Sequence, residues 1–210
     1  MKILILCSGK AAMTWEERYD SAGFERAVSL EADCDIQPAE VKTIQADGRP
    51  VYVSSLNTAR STARFLLPGA EPIREPLLDE VPRRACKDSE KPLPLGYWQR
   101  MARLQRAMGV GRQPETNAQA KGRAERLIAL LEERGKDCIL VSHPIFIQIL
   151  LDRFRAHGYV AARSEIFRVK PLERILITRR DMHCGGCSHN CLLTNPGCNV
   201  GKDKARRNAG

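Results

Sequence analysis

The chain has 210 residues, 43% hydrophobic and 28% charged, with a formal net charge of +9. At roughly 100–200 residues per domain that is one domain with at most a short appendage, and the apolar content excludes disorder throughout. No apolar run approaches the roughly 18 residues of a membrane span, and most basic residues are interleaved with acids, so charge alone does not mark a nucleic-acid protein.

In chain order, Lys2-Ile3-Leu4-Ile5-Leu6-Cys7 is a short apolar run ending in Ser8-Gly9. Such a run reads as a strand buried on both faces, hence a parallel one. It is too short for a secretory signal, so the expected location is the cytoplasm. A helix is expected over about Trp15 to Leu30, with Gly23 as its weak point. Val51-Tyr52-Val53 is the next strand, and Ser55 is a candidate N-cap for a helix reaching Leu67, where Pro68 stops it. Residues 68 to 96 are rich in proline and charge and read as a long irregular excursion.

Trp98, Met101, Leu104 and Met108 then recur at helical spacing, which reads as a core stripe ended by Gly109 and Gly111. Thr116 caps a further helix whose apolar face is Ala120, Ala124, Leu127, Ile128 and Leu131, with Gly135 closing it. Asp137 to Val141 is a third buried strand, closed by Ser142-His143. A helix from Pro144 to about Ala156 follows, with proline in its first turn. Glu165 to Val169 and Arg174 to Thr178 are two more candidate strands, joined at Pro171.

Strands alternating with helices predict a three-layer α/β/α sandwich on a mainly parallel sheet. Ligands of such sheets bind beyond the carboxyl ends of the strands. Three of those ends, at Ser8-Gly9, Ser54-Ser55 and Ser142-His143, are predicted to meet in one pocket.

The cysteines split unevenly. Cys7, Cys34, Cys86 and Cys138 are dispersed, whereas Cys184, Cys187, Cys191 and Cys198 form C-x2-C-x3-C-x6-C. Residues 183–198 hold three glycines and few large apolar side chains, so metal or covalent chemistry is needed to order them. Four thiolates suit a [4Fe–4S] cluster or a tetrahedral zinc ion. One C-x2-C knuckle rather than two leans toward iron–sulfur, and zinc stays open. A disordered, redox-sensitive basic tail is the third reading. The expected organisation is a domain over residues 1–180 and a Cys-rich tail over 181–210, through which a protein partner could dock. Lys202, Lys204, Arg206 and Arg207 give the tail charge, but no aromatic residue lies there to stack on a base, so nucleic acid is not the expected partner.

The order of motifs resembles the histidine phosphatase superfamily, the phosphoglycerate mutase-like fold. Val53-Ser54-Ser55-Leu56-Asn57-Thr58-Ala59-Arg60-Ser61-Thr62-Ala63 is similar to its Ser-Pro-Leu-x-Arg-Ala-x-x-Thr-Ala segment. Leu77-Leu78-Asp79-Glu80 is similar to its Leu-x-Glu segment, and Val141-Ser142-His143-Pro144 to its Val-Ser-His-Gly. Pro114-Glu115-Thr116 through Arg123 is similar to the lead-in to that last motif. The resemblance spans residues 1 to 178.

The first motif departs from the family. Its Arg-His-Gly falls on Cys7-Ser8-Gly9, and its second phosphate-binding arginine falls on Thr58. Arg60 is two residues on, about 200° around a helix, and is expected to point elsewhere. The resemblance leaves His143 as the second histidine and Glu80 as the general acid of many members. It implies an anion pocket of Cys7, Ser8, Gly9, Lys10 and Thr58 for a small phosphorylated ligand. Without the phosphate-accepting imidazole and two guanidinium groups, phosphoryl transfer loses its nucleophile and most of its charge stabilisation.

Two function classes follow. One is an atypical member or pseudo-enzyme with a four-cysteine site for redox, sensing or docking. The other is a phosphomonoester hydrolase with an altered mechanism on His143 and Glu80. A thiol enzyme on Cys7 and His143 is a further alternative. The bland readings are a His143 that only binds backbone, a solvated loop carboxylate at Glu80, an inert Cys7 and a surface Lys10.

Overall fold

The computed structural model describes residues 1–161 and 168–179. The elements are β1 (Lys2–Cys7), β2 (Arg18–Tyr19), α1 (Ser21–Asp33), β3 (Val51–Val53), α2 (Asn57–Leu66), β4 (Pro72–Arg74), β5 (Leu93–Pro94), α3 (Leu95–Met108), α4 (Asn117–Arg134), β6 (Cys138–Ser142), α5 (Pro144–Ala156), β7 (Tyr159–Ala161) and β8 (Arg174–Arg179). A 3₁₀ turn, Pro76–Leu78, follows β4. Cys184, Cys187, Cys191, Cys198 and residues 165–167 of the strand expected over Glu165 to Val169 lie outside the described residues, and Arg168 and Val169, which are described, are in no strand.

The main sheet has the order β4-β3-β6-β1-β8-β7. The first four strands are mutually parallel, and β8 and β7 close the sheet antiparallel. The period of two sorts the strand side chains. Ile3, Ile5, Cys7, Tyr52, Cys138 and Leu140 pack on one face against Leu127, Ile128 and Leu131 of α4 and Phe146, Leu150 and Phe154 of α5. Leu6, Val51, Val53, Ile139 and Val141 pack on the other against Ala59, Ala63 and Leu66 of α2. Each fully buried Leu, Ile or Phe contributes about 1.5–3 kcal/mol. This is the expected three-layer α/β/α sandwich with a mainly parallel sheet.

α4 follows its sequence pattern closely. Thr116 and Gln119 form a reciprocal capping box, and Gly135 ends the helix at φ 60°. α5 runs from Pro144 to Ala156 as expected. No helix among the described residues is long and apolar enough to cross a membrane.

Several expectations need correction. The first helix begins at Ser21, not Trp15, because the Asp20 carboxylate caps it by accepting from Gly23 N–H at 2.6 Å. Gly23 is needed there, since a Cβ would sit 2.8 Å from Asp20 Oδ1. Trp15 and Tyr19 instead join Phe24 and Trp98 in an aromatic cluster, where the Phe24 and Trp98 rings stack at 5.6 Å and Trp98 Nε1 donates to Tyr19 O at 3.0 Å.

The excursion after Leu67 is more ordered than its composition suggested. Pro72–Arg74 pairs in parallel with β3 as an exposed edge strand, where proline is tolerated. The stripe on α3 was misjudged. Trp98, Ala102 and Arg106 are buried at i, i+4 and i+8, while Leu104 is 48% and Met108 60% exposed. Tyr159–Ala161, too short for a periodic signal, is an unforeseen strand paired with β8.

Candidate functional site

The sheet register brings the three predicted strand ends together. Cys7 pairs with Ser142, and Val53 with Val141. The next residues along, Ser8, His143 and Ser54, therefore leave three neighbouring parallel strands at one level. Ser8 N–H donates to Ser142 O at 2.7 Å, and Ser54 N–H to Val141 O at 3.0 Å, which extends the sheet pairing to the rim. The site opens into a cavity of about 670 Å³ lined by Ser8, Gly9, Lys10, Thr58, Glu80 and His143, among others.

His143 is 5% exposed, and both ring nitrogens are engaged by serines. Nδ1 lies 3.2 Å from Ser8 Oγ, and Nε2 lies 2.8 Å from Ser54 Oγ. Ser54 Oγ donates in turn to Asp79 Oδ1 at 2.8 Å. Burial pushes the imidazole down to about 4; the Asp79 carboxylate pulls the other way, and the Arg123 guanidinium adds to the lowering. The ring is neutral at pH 7. A structural histidine bonded only to backbone does not describe this geometry.

Asp79 is held from three directions. It accepts Ser54 O–H and, at 2.5 Å, Ser55 N–H. Its own carbonyl accepts from Arg123 Nη1 at 2.7 Å, and Leu77 O accepts from the same atom at 2.9 Å. Arg123 is fixed by two bonds to the Glu115 carboxylate, at 2.9 and 2.8 Å, and by stacking 4.0 Å over the Phe146 ring. Ser55 is thus not the N-cap of α2. Its N–H goes to Asp79, while Leu56 N–H donates to Ser54 Oγ at 3.2 Å.

Glu80 is not a solvated loop carboxylate. Its Oε1 accepts from Phe146 N–H at 2.9 Å and Val81 N–H at 2.9 Å, and its Oε2 from Ile145 N–H at 3.2 Å. It caps the N-terminus of α5, where an anion is favoured by the unpaired first-turn amides. Burial raises its carboxyl above the ordinary range, against the opposing pull of those three amides and of Arg83.

Cys7 is fully buried on the α4–α5 face of the sheet. Desolvation, with smaller effects from Glu80 and Glu173, pushes its thiol far up. His143 bonds to Ser8 and Ser54, so no Cys7 thiolate–imidazolium pair forms. Gly9 N–H donates to Thr62 Oγ1 at 2.8 Å, and Thr62 donates to Thr58 O at 2.6 Å, which ties the loop after β1 to α2. A Cβ on Gly9 would press on Ile36 at 3.1 Å. Thr58 is buried and lines the cavity, whereas Arg60 is exposed and points away, as its spacing predicted.

The charges lining the cavity largely cancel. Arg123 pairs with Glu115, and Arg83 pairs with Glu31. Lys10 is the remaining lining cation, with no carboxylate partner among the described residues. Val28, Leu56, Val81, Pro82 and Ile145 supply apolar wall. Among the described residues no three His, Cys, Asp or Glu side chains gather as a metal site.

Asp79 and Arg123 were missed as site residues by the sequence reading, and Ser54 was placed in the pocket only as a strand end, without its bond to His143. Asp79 has a sequence signal after the fact, a second carboxylate beside Glu80 in a segment meant to approach the strand ends. Arg123 has none beyond its place in the motifs.

The family model that matches is the histidine phosphatase superfamily (branch 1), over residues 39–183. No relative is found among curated proteins. Among solved structures, an open-reading-frame product of Mycobacterium tuberculosis is similar at 18% identity and a TM-score of 0.43, covering 73% of this chain and 79% of that one. A candidate alpha-ribazole-5'-P phosphatase from Escherichia coli is similar at 16% identity and a TM-score of 0.40, covering 73% and 78%.

Proposed function

The chain belongs to branch 1 of the histidine phosphatase superfamily, and from that premise we propose that it is an atypical member that forms no phosphohistidine. The observation that carries this is the 3.2 Å contact between Ser8 Oγ and His143 Nδ1. By its resemblance to the family, the position at the end of β1 belongs to the phosphate-accepting imidazole, and a hydroxyl stands there. Thr58 stands where the second arginine belongs, and Arg83 and Arg123 are already neutralised by carboxylates. A phosphoryl group entering this pocket meets neither the nucleophile nor the cationic clamp that its transfer requires.

Glu80 then serves as the cap of α5 rather than as the general acid, because both of its oxygens accept backbone N–H bonds. The tail is the second half of the proposal. Its C-x2-C-x3-C-x6-C spacing supports one [4Fe–4S] cluster or zinc ion on Cys184, Cys187, Cys191 and Cys198, used for redox, sensing or docking.

The test is phosphoenzyme trapping. The full chain is mixed with a radiolabelled aryl phosphate, quenched in alkali, and examined for acid-labile label. The expected result is no labelled histidine. An acid-labile, alkali-stable phosphoryl group on any histidine overturns the proposal.

A further inference from the structure

The hydrogen-bond chain assigns the tautomer of His143. A carboxylate only accepts, so the Ser54 hydroxyl hydrogen points at Asp79. The Ser54 oxygen then accepts, from Leu56 N–H and from His143 Nε2. The imidazole proton therefore sits on Nε2. Nδ1 carries a lone pair, and it faces the hydroxyl of Ser8. Nucleophile, base and orienting carboxylate stand in the order of a Ser-His-Asp triad, with the carboxylate acting through one intervening hydroxyl.

We infer that Ser8 is an activated nucleophile with His143 Nδ1 as its base, and that the cavity takes a small carboxylic ester and transfers its acyl group to water. This deepens the reading above and rests on the absence of phosphohistidine chemistry. Ser8 and His143 touch the reacting atoms; Ser54 and Asp79 are positioning residues.

The ester class follows from the lining charges. Lys10, Arg83 and Arg123 face Glu31, Asp79, Glu80 and Glu115, three cations against four carboxylates. A phosphomonoester dianion is poorly matched to that balance. An uncharged ester is not penalised by it and finds the apolar wall of Val28, Leu56, Val81 and Ile145. Lys10 is the cation available to the negative charge that builds on the carbonyl oxygen.

The chemistry balances without a co-reactant beyond water. Ser8 Oγ bonds to the acyl carbon while its proton passes to Nδ1. The imidazolium returns that proton to the departing alkoxide as the carbon–oxygen bond of the ester breaks. Water then attacks acyl-Ser8, again through Nδ1. The carboxylic acid leaves, and the Ser8 hydroxyl is restored.

The neutral ring also sets the pH response. Of the charged groups around it, Asp79 holds its proton affinity up, Arg123 holds it down, and Glu80, Glu115, Arg83 and Lys10 line the same cavity. The first turn of α5 carries no acid. The base stays active down to about pH 4, where an ordinary histidine is lost near 6.5.

A fluorophosphonate probe, which captures activated serines, tests the inference on the full chain. The expected result is one adduct per chain, mapped to Ser8 by peptide mass spectrometry and lost in Ser8→Ala. His143→Ala slows labelling about 100-fold or more. His143→Gln replaces it if the alanine variant does not fold. Ser54→Ala shifts the pH midpoint of labelling, which a purely structural role would leave in place. p-Nitrophenyl acetate turns over in a Ser8-dependent manner, and p-nitrophenyl phosphate does not. Folded protein without a Ser8 adduct overturns the inference. So does a Ser8 adduct that forms equally fast without His143. Failure here leaves the phosphoenzyme result untouched, since trapped phosphohistidine is a separate readout.

Discussion

Replacing His143 by Gln removes a titration whose size follows from the structure. The imidazole falls from an ordinary 6.5 to about 4 in the folded protein. That difference corresponds to about 3 kcal/mol between protonation states, at 1.36 kcal/mol per pH unit. The sign is set by where the proton prefers to bind. Between pH 4 and 6.5 the unfolded chain takes up a proton at His143 that the folded chain refuses. Stability at this site therefore rises with pH across that window, and the contribution is fully present above 6.5.

Glu80 acts in the opposite sense. Its folded carboxyl is raised, so its contribution to stability falls as pH climbs above its unfolded value. The wild-type slope is blunted by this opposition, and the difference between wild type and His143→Gln isolates the histidine. The assay is urea unfolding at half-unit steps from pH 4 to 7.5. The wild type is expected to lose about 3 kcal/mol more than the variant on going from pH 7 to pH 4. Parallel profiles would refute the assignment of a neutral, desolvated ring.

Glu80→Ala is expected to lower stability by about 1–2 kcal/mol, through the loss of the α5 cap, and thermal melting reads it directly. Gly23→Ala is expected to destabilise by about 1 kcal/mol despite the better helix propensity of alanine, because the new Cβ displaces the Asp20 carboxylate; an unchanged melting temperature contradicts that account. Anaerobically purified full chain is expected to carry one cluster or one zinc ion per molecule, lost when Cys184 and Cys187 are both changed to Ser. Elemental analysis and a visible spectrum measure it, and metal-free folded protein ends the four-thiolate proposal.

Where each residue's environment was set by its near neighbours, the sequence was sufficient. α4 carries its own capping box, a clean apolar stripe and a terminal glycine, and all three stand where the pattern put them. The convergence of Ser8, Ser54 and His143 was legible because parallel strands end at one level and small polar residues follow each of them. What escaped was decided between segments. The Asp79 carboxylate took Ser55 N–H from the helix that Ser55 was expected to cap. Glu80 reached α5 across more than sixty residues of chain. Trp15 left its expected helix for an aromatic cluster, and the Asp20 cap starts that helix at Ser21. On α3, the residue that turned inward was Arg106, which a hydropathy stripe assigns to the surface.

The backbone of the site fixes where its side chains stand, and their identity decides what it can do. The strand ends, the Gly9 turn and the helix starts position side chains without regard to their chemistry. An imidazole at residue 8 would meet His143 as a second imidazole, and arginines nearby would favour a dianion. A hydroxyl at residue 8 instead needs a base, and His143 can serve only if it is neutral and holds its proton on the far nitrogen. Burial supplies the neutrality, and the Ser54–Asp79 pair supplies the tautomer. Arg123 is then more useful bonded to Glu115 and to the backbone around Asp79 than facing a ligand, because the orientation of the relay depends on where Asp79 sits. The uncharged Thr58 in the cavity wall and the tethering of Arg123 are thus mutually consistent. Neither offers a free guanidinium to the cavity, and Nδ1 of His143 stands 3.2 Å from the Ser8 oxygen.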